Sequence, residues 1–138
     1  MNILNNKTII VTGAANGIGA FFTNALLEKG ANVYACDVDV KKLESKFGNI
    51  SNCNIFQLDV RQPSQWQNLM NQVDTLDYLF NIAGVIRPGF LSDNTDDDIT
   101  LTIDINLKGT MFGSKYASEK MKNSGGPVSY THLTLPTK

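Results

Sequence analysis

Short apolar runs rich in β-branched residues alternate along the chain with longer stretches whose apolar positions recur every three or four residues. Thr8-Ile9-Ile10-Val11 is the first run, ends at Gly13, and has the pattern of a buried strand. Ile18, Phe22, Ala25 and Leu26 follow at helical spacing between Gly17 and Lys29, with Gly30 as the stop. Val33–Cys36 is a second strand, and Asp39 is placed to cap a short helix over Val40–Phe47 that Gly48 ends. Ile55-Phe56-Gln57-Leu58 is a third strand, and Pro63 suits the first turn of a helix reaching Val73. Leu76–Ile82 forms a fourth strand. Thr95 with Asp96, Asp97 and Asp98 supplies a capping side chain and the carboxylates that a helix N-terminus favours. The helix so started carries Ile99, Ile103, Asn106, Leu107, Thr110 and Met111 and runs to about Asn123. This alternation predicts an α/β fold of parallel βαβ units under right-handed crossovers.

The chain has 138 residues, room for one domain. Twelve Lys and Arg stand against 13 Asp and Glu, a net charge of −1, which gives nucleic acid or an anionic membrane no electrostatic hold. No apolar run approaches the ~20 residues of a membrane span, and the start lacks a basic-then-apolar leader. Cys36 and Cys53 stand without a CxxC or a His partner, so neither a disulfide scaffold nor a zinc site is indicated. The expected location is the cytoplasm.

The first candidate chemistry lies in Thr12-Gly13-Ala14-Ala15-Asn16-Gly17-Ile18-Gly19, between the first strand and the first helix. Glycines there permit a tight turn, let backbone N–H groups reach a pyrophosphate, and allow close helix–strand packing. The helix N-terminus then favours the phosphate charge. No Gly-Lys-Ser or Gly-Lys-Thr follows, which argues against an NTPase loop. Alone, such a turn can be merely structural. Asp37 lies at the end of the second strand, 18 residues past Gly19, where a carboxylate can accept hydrogen bonds from an adenosine ribose. Alone, it can equally be a strand-end Asp starting a turn. Together the two features favour dinucleotide binding. A carboxylate beside the ribose repels a 2′-phosphate, and neighbouring Asn16 and Val38 carry no charge, so NAD is expected over NADP.

These residues resemble the short-chain dehydrogenase/reductase family over about residues 5–126. Thr12 to Gly19 matches its TGxxxGxG loop, with Gly13, Asn16, Gly17, Ile18 and Gly19 as cofactor contacts. Asp59-Val60 matches the pair whose side chain and backbone meet the adenine ring. Asn81-Ile82-Ala83-Gly84 is similar to the family's Asn-Asn-Ala-Gly element, with Ile82 in place of the second Asn and with Asn81, Ala83 and Gly84 as cofactor contacts. Asn106 matches a helix Asn that holds a water in the family's proton relay, although from the residue alone a satisfied core amide is an equal reading. The resemblance implies a Rossmann-like, doubly wound parallel sheet with strand order 3-2-1-4, here truncated after its fourth strand and fourth helix. It also implies hydride transfer between NAD and an alcohol or carbonyl substrate, in a parent protein that is a homodimer or homotetramer.

The last residues depart from that pattern. The family continues into a strand ending at a catalytic Ser and then a Tyr-x-x-x-Lys, whereas here Ser129 and Tyr130 are adjacent and no Lys follows four residues after Tyr130. Val128 to Thr137 can be encoded by GTC TCT TAT ACA CAT CTG ACG CTG CCG ACG, which is the transposase adapter of short-read libraries. Residues 1–126 are therefore expected to be the N-terminal part of one dinucleotide-binding domain. Residues 127–138, with the lone His132, are expected to be a non-native tail of adapter read-through. Without the Ser, Tyr and Lys, the 138-residue chain is expected to turn nothing over and to dissolve poorly, its fourth strand an open edge. The competing reading is a non-catalytic NAD-binding module. Reading the source DNA across the Gly126 codon is expected to show a frame continuing to a Ser and a Tyr-x-x-x-Lys; a genomic stop or a genomic tail would favour the module.

Overall fold

A computed structural model describes residues 3–124. Gly125, Gly126 and the expected tail over 127–138 lie outside the described residues. Four strands, β1 (Thr8–Thr12), β2 (Asn32–Asp37), β3 (Cys53–Gln57) and β4 (Tyr78–Asn81), form one sheet in the order β3-β2-β1-β4. All three neighbouring pairs are parallel. The helices are α1 (Gly17–Glu28), α2 (Val40–Phe47), α3 (Pro63–Gln72), α4 (Asp96–Ile103) and α5 (Thr110–Ser124).

The β1 sequence explains the layering. Ile9 and Val11 point to one face and pack with Ala20, Leu26 and Leu27 of α1 and with Leu43 and Phe47 of α2. Ile10 points to the other face, among Trp66, Leu69 and Met70 of α3 and Ala117 and Met121 of α5. A strand buried on both faces must be apolar at every position, which is why this run lacks alternation. Since α1 and α2 cover one side and α3 and α5 the other, the chain reverses its direction of winding between β1 and β4. The crevice at the carboxyl ends of these two strands is where a doubly wound sheet leaves room for a ligand.

Local signals act as expected. The Asp39 carboxylate accepts the Lys42 N–H at 3.1 Å. Thr95 and Asp98 form a reciprocal capping box. Other details differ from expectation. The buried side of α1 is Gly19, Ala20, Thr23, Leu26 and Leu27, while Ile18 is 77% exposed, because the close approach to β1 admits only small side chains at the helix start. The strand expected over Leu76–Ile82 is shorter: Asp77 precedes it and spends its carboxylate on the Thr8 N–H at 2.9 Å and on Lys7 at 2.8 Å. The helix expected in one piece to about Asn123 is continuous, but Asp104–Gly109 winds as a π-helix. Burial pushes the Cys36 thiol up and the Cys53 thiol up to about 11, so both stay protonated and unreactive at neutral pH. Among the described residues, no helix is long and apolar enough to cross a membrane.

Gly113 is where α5 meets the sheet. A Cβ there would lie 2.5 Å from Asn81 Oδ1 and 2.8 Å from the ring of Trp66, which is fully buried and cannot give way. Gly113→Ala gains up to ~1 kcal/mol of helix propensity but is expected to lose about 1–3 kcal/mol to overpacking, a net loss visible as a lower urea midpoint. An unchanged or higher midpoint would show that the α5 contact is looser than described.

Candidate functional site

The crevice is closed at its base by Thr12, the last residue of β1. Its buried hydroxyl accepts the Ile82 and Ala83 N–H groups, each at 3.1 Å, and so joins the ends of β1 and β4. Gly13 follows at φ +70°, where a Cβ would lie 2.8 Å from Ala83 Cα. Gly19 closes the other side of the turn, and a Cβ on it would overlap the Gly13 carbonyl. Both positions therefore admit glycine alone. Asn16 is extended, its side chain caps nothing, and no acidic residue occupies the first turn of α1. The helix start thus offers backbone donors and positive dipole with no internal anion to satisfy them. A Cβ at Gly17 would meet nothing within 4 Å, so the space over the loop is open.

Asp37 ends β2 beside this loop. One carboxylate oxygen accepts the Ala15 N–H at 3.0 Å, and the other accepts the Asp39 N–H at 3.0 Å. An ionised carboxylate has about four acceptor sites, so Asp37 fixes the loop and retains capacity for a ligand hydroxyl. Leu58 prolongs the β2–β3 pairing by donating its N–H to the Asp37 carbonyl at 3.0 Å. Asp59 comes next, held by Arg61 Nε at 2.9 Å and Nη2 at 2.7 Å. These bonds hold the Asp59 carboxyl below its ordinary range and raise the Arg61 guanidinium.

One cleft of about 520 Å³ gathers these groups, within the usual range for small-molecule sites. Gly13, Asn16, Gly17, Ile18, Gly19, Asp37, Asp59, Val60, Ala83 and Gly84 all line it. Asn81 does not. It faces α5, with its amide 3.5 Å from Ser114 Oγ, and borders an adjoining cavity of about 530 Å³. Asn106 borders that second cavity too, and its side chain clips the backbone of Val85: Nδ2 donates to the Val85 carbonyl at 2.9 Å, and Oδ1 accepts the Val85 N–H at 2.8 Å. The Asn106 carbonyl accepts the Thr110 hydroxyl at 2.9 Å. Sequence reasoning placed Thr12 at the start of the glycine loop without giving its hydroxyl a task, and it passed over Arg61, whose only signal is its position two residues after Asp59.

The sequence profile described as short chain dehydrogenase matches residues 7–129. The chain belongs to this family. It is similar to dehydrogenase/reductase SDR family member 6 of Xenopus laevis, 34% identical over 140 residues, which covers all of this chain and 57% of that protein. It is also similar to galactitol 2-dehydrogenase of Agrobacterium fabrum, 33% identical over 91% of this chain and 52% of that protein. A third relative is 2,3-dihydro-2,3-dihydroxybenzoate dehydrogenase of Bacillus subtilis, 29% identical with the same coverage. The chain spans about half the length of the curated relatives it matches. The four-stranded parallel sheet is the Rossmann-like half-fold expected of a short-chain dehydrogenase, and its glycine turn sits at the β1–β4 crevice.

Thr12→Val removes the acceptor of two amide groups while keeping volume. It is expected to destabilise the fold by about 2–4 kcal/mol, since each orphaned donor costs roughly 1–3 kcal/mol. Thr12→Ser should recover most of the loss in the same denaturant titration. Equal stability of the valine variant would mean that water or another acceptor replaces the hydroxyl.

Proposed function

We propose that this chain forms the nucleotide-binding half of an NAD-dependent oxidoreductase that interconverts an alcohol and a carbonyl compound. The observation that carries the reading is one cleft that holds both an uncapped α1 N-terminus and the Asp37 carboxylate. The residues fit the cofactor: Gly13 and Gly19 make a cradle that any side chain would fill, and Gly17 leaves it open above. The α1 N–H groups would take the pyrophosphate, Asp37 the adenosine ribose, and Asp59 with Val60 the adenine. Bound nicotinamide would supply hydride acceptance and donation. Ala83 and Gly84 present small surfaces at the β4 end, which lets a ring approach the crevice between the two cavities. Asn106 fixes the Val85 backbone, and its carbonyl, which accepts the Thr110 hydroxyl, would be the group to hold the relay water that the family resemblance implies. By the family resemblance, the proton donor would be a Tyr that a neighbouring Lys makes more acidic, which Ser129 and Tyr130 do not match.

Asp37 favours NAD, because a 2′-phosphate there would face a carboxylate, and the guanidinium that lines the same cleft, Arg61, is spent on Asp59. The exposed apolar residues Ile99, Ile103, Leu107 and Met111 recur along α4, the π-helical turns and α5, which supports a homodimer or homotetramer. The proposed location is the cytoplasm, in keeping with two free cysteines.

Titration with NAD, NADP and S-adenosylmethionine tests the reading. NAD is expected to bind tightest, and Asp37→Ala to weaken it about 10- to 100-fold, as loss of hydrogen bonds to a charged acceptor implies. The same variant should narrow the preference over NADP, and Asp37→Asn separates the loop contact from the charge. A folded protein that binds no dinucleotide, or one preferring S-adenosylmethionine, would overturn it.

A further inference from the structure

Asn16-Gly17 is the sole Asn-Gly pair in the sequence, and both residues line the nucleotide cleft. Asparagine before glycine is prone to attack on its own side chain, because a following residue without Cβ leaves its N–H unshielded. A folded protein suppresses that attack by hydrogen bonding the groups involved or by packing atoms around them. Neither brake operates here. Both residues are exposed, and among the described residues neither the Asn16 amide nor the Gly17 N–H has a hydrogen-bond partner. A Cβ on Gly17 would meet nothing within 4 Å, so the space that ring closure needs is open.

We propose that this pair is a self-modification site: in the unliganded protein Asn16 converts to aspartate or isoaspartate, and the conversion closes the cleft to its dinucleotide. The second half of the proposal rests on the dinucleotide reading above. The Gly17 nitrogen bonds to Asn16 Cγ, the Cγ–Nδ2 bond breaks, and the departing ammonia takes the Gly17 proton. Water then opens the cyclic imide. Breaking the bond from nitrogen to Cγ yields aspartate, and breaking the bond to the main-chain carbon yields isoaspartate. No electrons are transferred, and water is the only co-reactant.

Either product places an anion at the start of α1, where the first turn holds no acidic residue. That carboxylate satisfies the helix donors from within and repels a pyrophosphate brought to the same place. Isoaspartate also adds a main-chain carbon between two fixed points. One is Ala15, whose N–H is tied to Asp37 at 3.0 Å, and the other is Gly19, which has no room under the Gly13 carbonyl. Ligand works in the opposite direction. Ring closure has to turn the Asn16–Gly17 peptide, which strains the bond from the Ala20 N–H to the Asn16 carbonyl at 3.1 Å. A pyrophosphate gripped by the α1 N–H groups covers the pair and resists that turn.

The test follows the full-length protein during incubation without ligand and with NAD, reading Asn16 by mass spectrometry of its peptides and affinity by calorimetry. Without ligand, Asn16 is expected to convert faster than the other asparagines, and affinity for NAD to fall in step. NAD at about 10 times its Kd should slow the conversion roughly 10-fold, in proportion to the unliganded fraction. Asn16→Asp should bind NAD at least about 10-fold more weakly than the parent, as a like charge beside the phosphates implies. Its thermal midpoint should not fall, since aspartate caps a helix as well as asparagine does. Asn16→Ser should hold its own starting affinity throughout the incubation. An intact Asn16, conversion equally fast under NAD, or Asn16→Asp binding as tightly as the parent would each overturn the proposal and leave the dinucleotide reading standing. Should Asn16→Asp fail to fold, the converted parent, separated by charge, takes its place. An unaltered protein that binds no dinucleotide would remove the dinucleotide reading, and the switch with it.

Discussion

The structure depends on how closely two backbones can approach at the carboxyl ends of β1 and β4. Thr12 holds those ends together by accepting the Ile82 and Ala83 amides just past β4, and Gly13 fits against Ala83 only because it has no Cβ. Once that distance is set, the remaining geometry of the cleft follows. The turn must reverse into α1 within a few residues, Gly19 must slide under the Gly13 carbonyl, and the first turn of α1 is left facing the crevice without a cap. A helix start with unsatisfied donors is a cost when nothing binds there. Here the fold accepts that cost at the same point where its crossovers part.

The carboxylates around the cleft differ in what remains available on them. Asp37 and Asp59 each end or follow a strand at the same edge of the sheet, but Asp37 accepts two backbone amides and keeps about half of its acceptor sites, whereas Asp59 is nearly saturated by Arg61. The first keeps acceptor capacity for hydroxyl donors, whereas Arg61 occupies both oxygens of the second. Two acidic residues of the same type thus acquire different recognition properties from their neighbours alone.

Most of the architecture was readable because local and tertiary demands agree. β1 is apolar at consecutive positions because both of its faces are covered, and Asp39 and Thr95 cap the helices that they precede in the sequence. The strand order follows from that framework, as does the one cleft that ten of the eleven expected cofactor residues line. What was not readable depends on orientation. Asn81 and Ala83 are two residues apart, yet Asn81 turns toward α5, where Gly113 leaves space for its side chain, and only Ala83 reaches the first cleft. The π-helical stretch was hidden for another reason: one apolar stripe describes an α-helix and a locally widened one almost equally well. A trace of it exists in retrospect. Ile99, Ile103, Leu107 and Met111 repeat every fourth residue, which drifts by about 40° per step on an ideal helix, and wider turns in the middle take up part of that drift.

The widened turns also explain how the two cavities are kept in register. Gly109 sits there, so close to Val60 that a Cβ would lie 2.6 Å from its Cγ2. Asn106 holds Val85, and Asp104 lies near Arg61 and pairs with Lys108. Three contacts from one π-helical segment therefore reach Arg61 and Val60, which line the first cleft, and the loop after β4. A regular α-helix, at about 100° per residue, would rotate Gly109 farther around the axis from Asn106 than the wider turns do and so change how the two face their partners. The segment is thus best understood as the element that ties the first cleft to its neighbour, with Asn106 acting through the Val85 backbone and Gly109 through the Val60 side chain.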